Sequence, residues 1–273
     1  MMRALYTAAT GMLAEQTNVD TIANNLSNVN TNGYKTERTE FKSLLYQTLQ
    51  TKTTSANGEQ KPVGAQVGLG TRVAATTSMY TQGALLESDS KTDFAIEGNG
   101  FFAVRGADGN TYYTRNGNFT WSLNAAGRTI LADQEGYPVL DSRGNEIMVP
   151  RNVNAESMVF SEDGSIAYRD PETSQVIPLN QSFGIYQFNN PAGLEKLSSS
   201  RLQATPASGN ALLEGATRGL TRSKVIQSRL EGSNVQVADE MVNMIVAQRA
   251  YELNSKAITT ADSMLDTANN LKR

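Results

Sequence analysis

The sequence predicts an α+β protein: N- and C-terminal helices, paired as a coiled-coil-like domain, around an antiparallel β-rich centre. Three observations predict it. Apolar residues recur at seven near both termini, Asn-Gly and Asp-Gly turns punctuate the middle, and a polar stretch separates the two patterns.

The N-terminal pattern comes first. Leu5, Met12, Val19 and Leu26 repeat at seven, Ala8, Ile22 and Val29 fill the intermediate places, and Glu15 interrupts that second row. About four heptads is the length usually taken as a coiled-coil signal. Asn30-Thr31-Asn32-Gly33 stops the pattern, with Gly33 suited to a left-handed cap. At about 1.5 Å per residue the expected helix is roughly 40 Å long. Asn24, Asn25, Asn28, Asn30 and Asn32 crowd its end. They either hydrogen-bond locally or cross to a neighbouring helix. Lys35, Glu37, Arg38, Glu40 and Lys42 mix signs, which suits a solvated face or intersubunit ion pairs.

Thr48 to Gly64 is polar throughout its centre and reads as a linker or a long loop. Beyond it, Phe94-Ala95-Ile96 and Phe101-Phe102-Ala103-Val104 flank Gly98-Asn99-Gly100. Turn signals follow at Asp108-Gly109, Asn116-Gly117, Gly127, Glu135-Gly136, Gly144-Asn145 and Asp163-Gly164. Such pairs supply the positive φ of tight hairpins. Short strands are expected between them, at Thr111 to Thr114, Ile130 to Ala132, Tyr137 to Leu140 and Gly184 to Phe188. Pro178 and Pro191 lie either side of the last, outside its ladder.

The C-terminal segment mirrors the first. From Val235 to Leu271 there is neither Gly nor Pro, and Val246, Ala250, Leu253, Ala257, Met264 and Leu271 trace one seam. Met241, Ile245, Ile258, Ala261, Leu265 and Ala268 widen it. An apolar surface broader than one seam needs more than one neighbour, so an intermolecular bundle fits better than two helices folded on their own core. The expected division is residues 1–46 with 225–273 as a helical domain, 47–67 as a linker or extended segment, and 68–224 as a β-rich domain.

Composition narrows the function. The 273 residues hold 24 Lys plus Arg against 27 Asp plus Glu, no His and no Cys. A net charge of −3 marks neither a nucleic-acid binder nor an acidic tail. Without His and Cys there is no Ser-His-Asp triad, thiolate nucleophile or ordinary zinc site. Hydrophobic residues make up 39%, short of core for this length, which points to burial supplied by other chains. No run approaches the ~20 apolar residues that span a bilayer, so no membrane insertion is expected. The opening lacks the apolar region of a cleavable signal, so any export is expected by another route.

The remaining chemical motifs are bland. Gly98-Asn99-Gly100 precedes a strand-like run, not the helix that a phosphate site needs. The carboxylate pairs Asp170 and Glu172, Glu162 and Asp163, and Asp133 and Glu135 sit on turns, and the last lacks the spacing of a calcium loop. No catalytic residue, cofactor or metal is expected.

Asn24-Asn25-Leu26-Ser27-Asn28-Val29-Asn30-Thr31-Asn32-Gly33-Tyr34-Lys35 resembles the N-terminal signature of the bacterial flagellar rod and hook family. Ser233-Asn234-Val235, Glu240 to Ile245 and Gln248 to Ala257 resemble its C-terminal signature. Phe94 to Phe102 and Tyr113-Thr114-Arg115-Asn116-Gly117-Asn118-Phe119 look like its β-domain motifs. The opening Arg3 to Met12 and the length look most like its distal-rod members, and a segment at the place of Thr48 to Gly64 marks those members off from the hook.

That resemblance implies a structural axial subunit, exported by the flagellar type III apparatus, that packs helically with its own copies into a driveshaft. Other rod proteins, the hook protein and wall-ring proteins are its implied partners, and no nucleic acid. The contacts are expected at Leu5, Met12, Val19, Ile22, Leu26 and Val29, with Asn25 and Asn28. On the second helix they fall at Val242, Ile245, Val246, Arg249, Leu253, Met264 and Leu271. The alternatives are a proximal rod or hook-type protein or, in another class, a secreted glycan-binding β domain or enzyme. The latter needs aromatic platforms, and Trp121 is the only Trp.

Overall fold

In the computed structural model the described residues are 2–50, 64–124, 126–151, 153–170, 175–198, 200–217 and 219–271. They form an α+β chain with a helix near each end, α1 (Met2–Ser27) and α2 (Val237–Asn270), and antiparallel strands between. The chain divides into two compact units. One contains both helices and the strands between Glu37 and Ser78, and the other contains Asn28–Thr36 and Met79–Val235.

This division differs from the expected boundaries at three places, the first being residues 28–36, expected with the helices and found in the β-rich unit. Residues 225–235 belong to the β-rich unit, because Lys224–Gln227 pairs with Phe94–Glu97 and Arg229–Glu231 with Leu85–Glu87. Residues 47–50 and 65–78, expected as linker and β-rich domain, are grouped with the helices, as residues 37–46 were expected to be, and strands run through both stretches. Here β1 (Glu37–Ser43) pairs with β4 (Thr71–Ser78), and β2 (Tyr46–Gln50) with β3 (Ala65–Gly68). Leu44 N–H donates to Gly70 O and Leu69 N–H to Leu45 O, which joins the pairs into one ribbon. The centre of the polar stretch, residues 51–63, lies outside the described residues.

Helix α1 ends at Ser27, before the expected stop. Gly33 does adopt a left-handed φ of 71°, but within the turn that follows the helix. A Cβ there would stand 2.8 Å from the Arg115 carbonyl carbon, so both conformation and space require glycine. At the start of α2, Asp239 and Glu240 lie in the first turn, where carboxylates favour the helix dipole.

The β-rich unit centres on a six-stranded sheet. Its order is Glu195–Lys196, Arg201–Gln203, Thr111–Thr114, Phe101–Arg105, Ile185–Gln187 and Leu212–Leu213. Phe94, Ile96, Phe102, Phe119, Leu131, Val139 and Ile147 share one sealed core. Phe94 meets Phe160 edge-on at 4.6 Å, and Phe102 meets Phe119 at 5.2 Å. Pro178 sits inside Val176–Ser182, an edge strand of a three-stranded sheet, where a missing N–H is tolerated. No helix among the described residues is long and apolar enough to cross a membrane.

Candidate functional site

Two features stand out in the structure: the outer surface of the helix pair and a buried ionic node in the β-rich unit. On the first, α1 and α2 pack antiparallel, because Asn25 reaches Glu240 at one level and Gly11 abuts Asn254 at another. A Cβ on Gly11 would come 2.8 Å from Asn254 Nδ2, so the helices approach closely there. Another face of α1 meets the ribbon, where Thr39 Oγ1 donates to Thr21 Oγ1 at 2.9 Å.

Asn25 does the most. Its Nδ2 donates to Glu37 O at 2.8 Å and its Oδ1 accepts from Glu37 N–H at 2.9 Å, so one amide satisfies both backbone groups of β1's first residue. The same Nδ2 lies 3.3 Å from Glu240 Oε2. Asn25 is therefore both a local hydrogen-bonder and a bridge to the second helix, and it is buried.

The inward side of α2 is Glu240, Met244, Ala247, Asn254, Ile258, Ala261 and Leu265, buried or half-buried in turn. This seam sits one residue beyond the one traced from Val246 through Leu253 to Met264, a rotation of about 100°. Ala247, Ala261 and the polar Glu240 and Asn254 face in where the helices approach closely, with Met244, Ile258 and Leu265 half-buried beside them. Val242, Ile245, Val246, Leu253, Met264 and Leu271 are 55–83% exposed. Arg249 is exposed and pairs with Glu252 at 2.8 Å. On the first helix Ile22 is buried, while Leu5, Met12, Val19 and Leu26 are half-buried. Val29 and Asn28 are half-buried in the turn beyond, where Asn28 Oδ1 accepts from Thr31 Oγ1.

The node gathers residues from four stretches of the β-rich unit. Glu231, its side chain fully buried, accepts from Lys35 Nζ at 2.6 Å, Arg115 Nη1 at 3.2 Å and Gly83 N–H at 3.0 Å. Lys35 also donates to Thr81 O, and Arg115 to Gly98 O. Asn234 Oδ1 accepts from both Thr36 N–H and Thr36 Oγ1, while its Nδ2 donates to Met79 O and Thr81 O. Burial pulls the Lys35 ammonium below its ordinary range, and Glu231 opposes that pull. These side chains pin the points near Thr36, Met79 and Val235, where the chain leaves one unit for the other.

Lys35, Arg115 and Asn234 all stand within motifs visible in the sequence, but Glu231 does not. It is one carboxylate among 27 and carries no local signal. Of the carboxylate pairs, Glu135 pairs with Arg201 at 3.0 Å and Asp133 accepts from Gln134 N–H, its pKa pushed up by burial, while Glu172 lies outside the described residues. Among the described residues no group of three His, Cys, Asp or Glu could hold a metal.

Three family models match the chain. Residues 5–35 match "Flagella basal body rod protein", 95–168 "Flagellar hook protein FlgE/F/G D1 domain" and 226–271 "Flagellar basal body rod FlgEFG protein C-terminal". The chain is 46% identical to the flagellar basal-body rod protein FlgG of Borreliella burgdorferi over the whole of both. It is 43% identical to FlgG of Agrobacterium fabrum over 99% of this chain and all of that one. It is also 31% identical, over the whole of both, to the flagellar hook-basal body complex protein FlhP of Bacillus subtilis.

Proposed function

The chain belongs to the flagellar basal-body rod family, and from that premise we propose that the exposed ridge of α2 is its assembly surface. It is a structural subunit of the distal rod of the flagellar basal body, not an enzyme, and it assembles with other flagellar axial proteins. In the finer proposal, Val242, Ile245, Val246, Leu253 and Met264 pack in coiled-coil fashion against helices of neighbouring copies and close a helical tube. Other rod proteins, the hook protein and the wall ring complete its surroundings, and the type III apparatus exports it.

The observation that carries this is the exposure of those α2 side chains. Burying each against a neighbour contributes about 1.5–3 kcal/mol, enough in sum to drive association. Leu253→Asp and Val246→Asp test it, since each puts an unpaired charge in the proposed contact at a cost of several kcal/mol. Sedimentation at rising concentration should show the parent assembling and both variants discrete, with motility lost. Variants that assemble and swim like the parent would sink the proposal.

A further inference from the structure

A cavity of about 300 Å³ opens in the β-rich unit beside the Glu231 node. Lys35, Arg115, Lys196 and Arg201 line it, with the rings of Tyr34 and Tyr80. Leu197 and Leu202 add apolar wall, and among the described residues no Asp or Glu lines it. Its volume is that of a small-ligand site, and the charged residues that line it are all cations, four of them against the two carboxylates, Glu231 and Glu135, that pair with three of the four from outside the lining.

We propose that this cavity is a carboxylate-binding pocket, filled in the assembly by an Asp or Glu side chain of a second copy of this chain. Lys35 and Arg115 are held from behind, both more than nine-tenths buried and sharing the single carboxylate of Glu231. Glu214, whose charge also reaches Arg115, is occupied by Ser223 N–H and Oγ at 2.7 Å and by Gln187 Nε2 at 2.8 Å. Arg115 Nε is enclosed and makes no hydrogen bond with the protein. Arg201, which also lines the cavity, pairs with Glu135 at 3.0 Å and lies 4.4 Å from the Tyr137 ring centroid.

Cations fixed against low-dielectric walls focus field and favour an anion. The tyrosine and leucine walls favour an anion with a hydrocarbon stem, which a free phosphate lacks and an acidic side chain has. The second copy is the matching source. The chain carries 27 acidic residues against 24 cationic ones, and four of those cations are gathered here. This occupant rests on the self-assembly proposed above.

The test uses the ¹⁵N-labelled full chain with benzoate as probe and benzamide as its neutral control. Benzoate should shift the Arg115 and Arg201 Nε–H and Gly33 N–H resonances saturably, and benzamide should not. In Lys196→Gln/Arg201→Gln, with thermal unfolding checked against the parent, benzoate binding should weaken about tenfold or more. Assembly should need correspondingly more protein, and benzoate should inhibit assembly of the parent. Equal shifts with benzamide, or none with benzoate, overturn the pocket. Benzoate binding that leaves assembly untouched overturns the second-copy occupant. A parent chain that stays monomeric at every concentration breaks the assembly premise itself, which differs from a parent that assembles and ignores benzoate.

Discussion

Phe94, Phe101, Phe102 and Phe119 of the β-rich unit are sealed within one chain, whereas Val246, Leu253 and Met264 of the helical unit are more than half exposed. Both units are built from apolar periodicity, yet one closes its core and the other leaves a ridge open. In the helical unit the close seam is made of Gly11, Ala247, Ala261 and polar pairs such as Asn25 with Glu240. The contrast teaches that stability and assembly are separable here. The β-rich unit closes its own core, and the helical unit leaves the large side chains of its α2 ridge exposed.

The widest break between the units is expected from their large apolar residues. Phe102→Ala removes a fully buried ring and should cost about 3–5 kcal/mol, read as a lowered denaturation midpoint of the isolated chain. Leu253→Asp in the same experiment should move that midpoint by roughly 0.5 kcal/mol or less, because a monomer leaves this side chain in water. Equal losses from the two variants would erase the distinction.

A smaller effect sharpens what holds the helical unit. Asn25→Ala strips both hydrogen bonds from the Glu37 backbone and should cost about 1–3 kcal/mol, seen as faster amide exchange of α1 and β1. Exchange in Phe101–Arg105 should stay as in the parent. If that strand loosens equally, the two units unfold as one.

The smallest effect concerns alkali. Burial pushes the Tyr113 phenol up to about 12, with the neighbouring Tyr186 raising it further. The unfolded chain ionises near 10, so above that pH it has released a proton that the folded chain retains. The contribution of Tyr113 to stability therefore falls as pH rises from about 10 to 12. Tyr113→Phe should flatten that part of the stability curve, measured by denaturant midpoint against pH, and an unchanged slope would contradict the assignment.

The sequence showed these elements unevenly. Asp108-Gly109 marked a hairpin directly, because positive φ is a local property of the residue that adopts it, and Gly109 at 79° joins the paired strands Phe101–Arg105 and Thr111–Thr114; Asn116-Gly117 was expected to do the same and takes no positive φ. The β1–β4 ribbon was hidden: of Glu37–Ser43 only Thr39 is buried, so no apolar alternation announces a strand held by backbone hydrogen bonds and by Asn25. Pro178 lies outside the Ile185–Gln187 ladder, as read from the residues, but within a separate edge strand, Val176–Ser182, that the residues did not announce. For the candidate site, the breadth of the α2 stripe was legible, but its inward edge was not. Val246 and Ala247 are neighbours in the chain and differ by one helical step in where they face.

By itself the sequence determined that two helices bracket an antiparallel β region, that His and Cys chemistry is absent, and that the helices carry more apolar surface than one partner covers. These follow from periodicity, composition and turn chemistry, each written within a few adjacent residues. Only the tertiary structure decided that α2 turns Ala247 and Ala261 inward and leaves Val246 and Leu253 out. It alone brought Lys35, Arg115 and Glu231 into one buried contact across 196 positions of chain. Local rules leave such choices nearly equal in energy. Close helix approach and the cost of an unpaired buried charge are settled only when distant segments meet.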